Sequence, residues 1–407
     1  MIEIETAQAQ KPAQFFLPAA CNGFCRPYGI IGRQDNFVRN VKKIVYAFLY
    51  MCYNIYVIEL CDFLDVIDIM QKELIMRCLP TEFCHASTVL ASPDGSLLCC
   101  WFGGTHEGES DVGIYFSRRT DAGWSEPKLL VNGAAANWNP VLFVGADGRL
   151  LLFYKQGQQI ADWQTWLLQS TDNGETWSGP QELVQGDVSG GRGPVRNKPL
   201  RLESGRILAG ASTEHGIWKA FADISDDDGA SWHKSSAVQI EGLQYQAGEK
   251  TADSNIAVSQ QSFYGRGVIQ PSLWQSADGS VHMLLRSSEG FVYRSDSADD
   301  GETWCSAYAL SLPNNNSGLD LVRTAGGVLY LVCNPVAANW GQRSPLSLFK
   351  STDEGASWQK LLDLETEPAE FSYPAIIADG EGLVFTYTYK RCNIACVRLS
   401  ADELVTL

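Results

Sequence analysis

Short apolar runs recur along this chain from about Pro80 onward, and each is opened by a turn dipeptide. Ser96 to Phe102, Arg149 to Tyr154, Val281 to Leu285, Val328 to Val332 and Leu383 to Tyr387 follow Pro93-Asp94-Gly95, Ala146-Asp147-Gly148, Ala277-Asp278-Gly279 and Gly326-Gly327 signals. Runs this short, rich in β-branched and aromatic residues and bounded by Asp-Gly or Gly-Gly, predict strands joined by tight hairpins. The pattern is β to the C-terminus.

A second pattern punctuates the first. Ser170-Thr171-Asp172-Asn173-Gly174-Glu175-Thr176-Trp177 returns as Ser225 to Trp232, Ser297 to Trp304 and Ser351 to Trp358. A degenerate copy runs from Ser117 to Trp124, around Asp121 and Gly123. The Asp carboxylate can accept from the backbone that follows it, which fixes a tight turn. The Gly allows a positive φ, and the Trp folds back as an apolar plug. The Asp positions 172, 227, 299 and 353 are 55, 72 and 54 residues apart. Each period therefore holds strand, turn, strand, clip and strand, a four-stranded meander, and repetition at this spacing predicts radial stacking. About 325 residues divided by a period near 55 gives about six units. The predicted fold is all-β, a six-bladed β-propeller of four-stranded antiparallel blades over residues 76–407. Seven blades stay open, because the longest gap carries an insertion around Ile240 to Tyr264. That insertion, with Gly248, Ser254, Asn255, Gln260 and Gln261, reads as a loop.

Residues 1–75 break the pattern and form a non-propeller extension. They hold four of the 12 cysteines and none of the repeats. The apolar run Ile44 to Ile58 behind Arg39, Lys42 and Lys43 is short for a membrane span and starts late for a signal peptide. Three readings stand: a signal-anchor, a helical extension, or translation from a misplaced start, with Met70 or Met76 as the working start. The abrupt change of composition near Met76 favours the last.

Composition narrows the partners. A net charge of −16 repels nucleic acid and anionic membrane. The cysteines are scattered without zinc spacing, so no structural zinc site or cofactor is expected, while an ion on the propeller axis stays open. Read as small buried hydrophobes, they place the chain in the reducing cytoplasm. Nothing in the sequence fixes an oligomeric state.

Candidate chemistry is sought just after each blade's first strand. Blade one offers His85 and then His106, Glu107 and Asp111 on Gly-rich text, groups able to transfer protons. Blade two offers Asn139 and Lys155; blade three offers Arg196, Lys198 and Arg201, a basic cluster in an acidic chain. Blade four offers Gln270 and Arg286. Blade five offers Asn316, Asp320 and Arg343; blade six offers Glu370, Tyr373, Lys390 and Arg391. Salt bridging within the scaffold is the plain alternative for each charge. Arginines in several blades suggest a clamp for the carboxylate of an anionic carbohydrate.

These repeats and residues resemble the sialidase (neuraminidase) superfamily, in its BNR or Asp-box branch, from about Pro80 to the C-terminus. The resemblance implies an exo-glycosidase that removes a terminal acidic sugar, with an arginine triad, an acid/base carboxylate and a Tyr nucleophile paired with a Glu. Arg286 and Arg343 match the second and third arginines, and Tyr373 matches the nucleophile. Glu107 or Asp111, beside His106, matches the acid/base. His85 stands where the first arginine is expected, and Gln270 stands where the Glu is expected. A neutral Gln cannot take the phenol proton. An alternative therefore stays open: a uronate-glycan lyase or hydrolase in which His85, His106 or Tyr373 removes a proton beside a carboxylate held by Arg196, Arg286 or Arg343. Lys198, Asn139, Asn316 and Asp320 would bind the sugar in either case. A non-catalytic glycan-binding propeller is the third reading.

Overall fold

The computed structural model describes residues 70–133, 135–187, 189, 191–251 and 263–407. Ile44 to Ile58, the rest of the first 69 residues, and Ser254, Asn255, Gln260 and Gln261 of the insertion lie outside the described residues.

Six antiparallel meanders follow one another along the chain. The first comprises Phe83–Ala91, Leu97–Gly104 and Gly113–Thr120, edged by Gly123–Trp124 and Lys128–Val131. The second runs Asn137–Val144, Leu150–Gln156, Gln164–Ser170 and Gln181–Glu182. The third runs Leu200–Arg201, Ile207–Thr213, Ile217–Ser225 and His233–Lys234. The fourth runs Arg266–Gln275, Val281–Ser287, Phe291–Ser297 and Tyr308–Pro313. A short parallel pairing of Ile217 and Trp218 with Arg266 and Gly267 joins the third to the fourth in one sheet. The fifth runs Asp320–Arg323, Leu329–Cys333, Leu346–Ser351 and Gln359–Glu365. The sixth runs Phe371–Asp379, Gly382–Tyr389 and Asn393–Leu399, and its fourth strand is Gln71–Leu74, paired to Asn393–Leu399. The sheet assembly thus reaches back past Met76. The expected boundary at residue 75 falls too late, because these residues carry no repeat motif yet supply the last edge of the last sheet.

Each complete motif joins the third and fourth strands of its meander. Asp172 accepts from Thr176 N at 2.9 Å and from Ser170 Oγ at 2.7 Å, while Ser170 Oγ accepts from Gly174 N at 2.8 Å. Asp227, Asp299 and Asp353 repeat this pattern on Ser231, Thr303 and Ser357. The Trp232 and Trp304 indoles close back onto the carbonyls of Gly229 and Gly301.

Apolar clusters lie between successive meanders. Phe102, Leu142 and Tyr154 pack the first on the second, Leu208, Val268 and Met283 the third on the fourth, and Trp274, Leu321 and Leu331 the fourth on the fifth. Val332, Phe385 and Val397 join the fifth to the sixth, and Val89, Trp101 and Val384 join the first to the sixth. Each such fully buried aliphatic side chain contributes roughly 1.5–3 kcal/mol.

Hydrogen bonds made by the first strands and the segments beside them repeat that order. Leu142 N donates to Thr88 Oγ1, Asn139 Nδ2 to Val195 O, and Asn197 Nδ2 to Gln270 O. Ser272 Oγ donates to Asp320, Ile376 N donates to Asp320, and Ala86 N donates to Thr388 Oγ1.

Candidate active site

Four first strands bend at the same place. Bulges interrupt pairing between His85 and Thr88, Trp138 and Val141, Ile269 and Ser272, and Ser372 and Ala375. Inside each bulge sits a residue with positive φ: Ala86, Asn139, Gln270 and Tyr373. Such backbone is uncommon for non-Gly residues and re-aims the side chain. His85, Gln270 and Tyr373 therefore lie near the starts of first strands, while Arg286 lies at the end of the second strand Val281–Ser287 and Arg343 and Arg391 lie between second and third strands.

Tyr373 is the centre. Its Oη accepts from Arg286 Nη1 at 2.7 Å. The guanidinium carbons of Arg196 and Arg343 each lie 5.3 Å from its ring centre, and that of Arg286 lies at 5.7 Å. The His85 ring packs against it with centroids 4.2 Å apart. Arg196 Nη2 donates to the carbonyls of Tyr373 and Pro374, so this arginine props the bulge that aims the phenol. Burial pulls the Arg196 guanidinium down to about 10, against the pull of Asp320 and Tyr373.

The other arginines are held from behind. Arg286 Nε donates to Asn316 Oδ1 at 2.7 Å, and Nη1 also reaches Gln270 Oε1 at 3.2 Å. Asn316, itself at positive φ, is fixed by Asn339 through its amide. Arg343 Nη1 donates to Glu370 Oε1 at 2.7 Å, and Arg391 Nε donates to Glu370 Oε2 at 2.7 Å. Burial pushes the Glu370 carboxyl up, but Arg343 and Arg391 outweigh it and hold the group below its ordinary range. Burial likewise pulls Arg391 down, and Glu107 and Glu370 more than reverse this. Three buried N–H groups at this cluster, Arg343 Nε, Arg343 Nη2 and Arg391 Nη2, have no protein acceptor.

His85 is 1% exposed, and its Nδ1 meets Thr388 Oγ1 at 2.9 Å. Burial, and then the surrounding Arg391, Arg343, Arg196 and Arg286, hold its imidazole well below the ordinary histidine range. It is a neutral platform under Tyr373 rather than a strong base.

Several expected residues do other work. Glu107 is engaged by Arg391 and is not presented to Tyr373. Asp111 is exposed and caps the Thr105 backbone N–H at 2.9 Å. His106 is exposed on the same loop, and no contact among the described residues joins it to the arginines. Lys198 Nζ is paired with Asp320 Oδ2 at 2.9 Å and with Leu321 O at 2.7 Å. Asp320 further accepts from Ser272 Oγ and Ile376 N, so this pair ties meanders together and does not read hydroxyls. Asn139 spends its amide on Val195 O at 3.0 Å. The plain alternative, scaffold bonding, thus holds for Lys198, Asp320 and Asn139.

Glu370 and Arg391 are the members that motif reasoning undervalued. Both stand in text that draws notice, yet only the fold reveals that one carboxylate bridges two arginines. Glu214 also escaped notice. It follows Ile207–Thr213, is half-buried, and is pushed up by burial against the pull of Arg286. Among the described residues no group of three His, Cys, Asp or Glu side chains is arranged to hold a metal. The eight described cysteines are free. No described helix is long and apolar enough to cross a membrane.

Comparison with known proteins adds the family. The BNR repeat-like domain matches residues 95–386. A protein of unknown function from Dyadobacter fermentans has a similar structure at 16% identity, covering 82% of this chain and 99% of that one, with a TM-score of 0.64. The NanB sialidase from Streptococcus pneumoniae is similar at 14% identity, covering 81% and 71%, with a TM-score of 0.64. The intramolecular trans-sialidase from Ruminococcus gnavus, in complex with oseltamivir carboxylate, is similar at 14% identity, covering 82% and 98%, with a TM-score of 0.61. At these identities the likeness carries the fold.

Proposed function

The chain belongs to the BNR repeat-like branch of the sialidase superfamily, and from that premise we propose a six-bladed β-propeller enzyme that breaks a glycosidic bond beside a carboxylated sugar. The circuit of hydrogen bonds from the first meander through the sixth and back supports the closed ring. The carrying observation for the substrate is the trio of buried N–H groups on Arg343, which lies over the Tyr373 ring, and on Arg391, bridged to Arg343 by Glu370. A buried charged donor without an acceptor costs about 1–3 kcal/mol or more, so the cluster is built to receive an anion. A planar carboxylate fits the guanidinium fork.

Tyr373 is the reacting group. Two reactions fit its place. In the sialidase reaction, the phenol loses its proton to water as its oxygen attacks the anomeric carbon, the bond to the departing glycan breaks, and water then splits the tyrosine–sugar bond, the known exception to the two-carboxylate rule. In the elimination reaction, Tyr373 acts as the phenolate, its own proton having gone to water; its oxygen takes the proton next to the uronate carboxylate, the carbon–oxygen bond to the departing glycan breaks, and a carbon–carbon double bond forms. The structure around Tyr373 Oη favours elimination. Its donor, Arg286 Nη1, also donates to the neutral Gln270 Oε1, where the resemblance implies a carboxylate partner. A guanidinium at 2.7 Å would hold the phenolate form that a proton-abstracting Tyr373 needs, and Arg343 would neutralise the carboxylate as the adjacent carbon loses its proton.

The test is product analysis on the full chain, with sialosides and with glucuronide- or rhamnose-containing oligosaccharides. Elimination yields an unsaturated uronide that absorbs in the far ultraviolet; hydrolysis yields free sialic acid. Tyr373→Phe removes either product. Full activity in Tyr373→Phe would refute the assignment of the reacting group.

A further inference from the structure

A cavity of about 430 Å³ opens between Gln159–Ala161, the segment Glu214–Trp218 and the insertion residues Tyr245, Ala247, Gly248 and Tyr264. It connects by bonded neighbours to the arginine site. Glu214 lies two residues beyond Ser212, whose Oγ accepts from Gln270 N at 3.5 Å. Gln270 Oε1 in turn meets Arg286, and Arg286 holds Tyr373 Oη. The cavity wall is amphipathic. Tyr264, which lines the cavity, is 42% exposed, and Tyr245 lies 3.5 Å from where a side chain on Gly216 would begin. Flat rings beside a carboxyl group are suited to a sugar rather than to a lipid or a peptide.

The reaction proposed above lacks a proton source. Glu107 is taken by Arg391, and Asp111 by Thr105. We propose that Glu214 donates the proton to the departing glycan oxygen, and that the cavity it lines holds the glycan on the leaving-group side. This rests on Tyr373 and the arginines forming the reaction centre. The step balances in either chemistry. The carbon–oxygen bond breaks, its electron pair stays on the departing oxygen, and that oxygen takes the Glu214 proton. The resulting carboxylate is reprotonated by water through the open cavity.

The electrostatics agree. Burial holds the Glu214 carboxyl above the ordinary carboxylate range, and the positive charge of Arg286 only partly offsets this. The titratable and charged groups around it are His215 on its own segment, Arg286 on the next meander, and Tyr245 and Tyr264 across the cavity. A carboxylic acid that keeps its proton is what a leaving oxygen needs.

The experiment compares Glu214→Gln and Glu214→Asp with the unaltered chain on two substrates, the natural glycan and an analogue with a nitrophenolate leaving group. Removing a general acid costs about 10²–10⁴-fold. Glu214→Gln is expected to lose at least a hundredfold on the glycan, to stay within a few-fold on the nitrophenolate analogue, and to lose the alkaline limb of the kcat–pH profile. Glu214→Asp is expected to recover part of the glycan rate. Tyr245→Ala is expected to raise KM for the glycan with kcat little changed. Equal losses on both substrates, or full glycan activity in Glu214→Gln, would overturn the assignment. Infrared difference spectra give a readout free of turnover. A protonated-carboxyl band near neutral pH that vanishes in Glu214→Gln supports the assignment, and its absence from the unaltered chain refutes it. If Tyr373→Phe stays active while Glu214→Gln does not, the reaction centre is misassigned but the proton donor stands.

Discussion

Asp320 offers the sharpest separation of scaffold from site. It is 1% exposed and serves three donors from three meanders: Lys198 Nζ at 2.9 Å, Ser272 Oγ at 2.6 Å and Ile376 N at 2.9 Å. Asp320→Asn keeps the shape and one acceptor. It turns an amide toward the Lys198 ammonium and leaves that charge without its counter-ion. Removing one partner of a buried ion pair costs about 3–5 kcal/mol. The 26% exposure of the lysine side chain lets water recover part of this, which brings the cost to roughly 2–3 kcal/mol. Unfolding entropy near 2.1 cal/mol/K per residue over roughly 330 ordered residues converts this to a Tm fall of about 3–4 °C. Calorimetry measures the fall, and kinetics on the folded protein at 20 °C below the new Tm measures the site. The expected result is a lowered Tm with kcat/KM within a few-fold of the original. An unchanged Tm with a hundredfold loss of kcat/KM would make Asp320 a substrate group and refute the scaffold assignment.

Arg343→Lys keeps the charge but loses the fork that leaves Nε and Nη2 free. Charged hydrogen bonds contribute about 1.5–3 kcal/mol, so KM for the acidic glycan is expected to rise roughly tenfold to hundredfold in steady-state kinetics, with the fold intact by circular dichroism. Acid should unlock the clips: Asp172, Asp227 and Asp353 are drawn down to about 2, first by their Thr or Ser side-chain hydrogen bonds and then by backbone N–H donors. A depressed carboxyl stabilises the fold above its unfolded value near 3.9 and stops doing so as pH falls toward 2. Tm measured against pH should therefore drop across that window, and less steeply in Asp172→Asn; a flat profile would show that the clips carry no proton-linked stability.

The clips were legible because their chemistry is local. A carboxylate that bonds its own backbone four residues on, as Asp172 does with Thr176, leaves a mark in eight consecutive residues. The second strands were legible for the same reason, since Leu383 to Tyr387 must be apolar whatever surrounds it. The edge strand Gln71–Leu74 was not, because it pairs with Arg398, Val397, Cys396 and Ala395 from the far end of the chain. The site stood between these cases. Arg286, Arg343 and Tyr373 could be matched to a known pattern. The roles of Lys198 and Asp320 could not, because a surface cation for substrate and a buried cation for a carboxylate are the same letter in a sequence. The bulges had a faint signal: Asn139-Pro140, Gln270-Pro271 and Tyr373-Pro374 repeat one residue before proline at positive φ. Proline removes a ladder donor where the strand must already break its pairing.

The site is cationic in a chain of net charge −16. Two of the bulges set Gln270 and Tyr373 as acceptors for Arg286. Four guanidiniums, of Arg196, Arg286, Arg343 and Arg391, gather round Tyr373 and the paired carboxylates of Glu370 and Glu107. Counting Asp320, which acts on Arg196 and pairs with Lys198, three carboxylates still face five cations, so the cluster keeps an excess of positive charge. The acidic exterior does not cancel it, because exposed charges are screened within about 10 Å at ordinary ionic strength while buried ones are not. On the proposed function, an anionic sugar would be repelled by most of the surface and attracted at one point. Arg343 contributes to that surplus: its Nη1 is committed to Glu370, while its buried Nε and Nη2 have no protein acceptor.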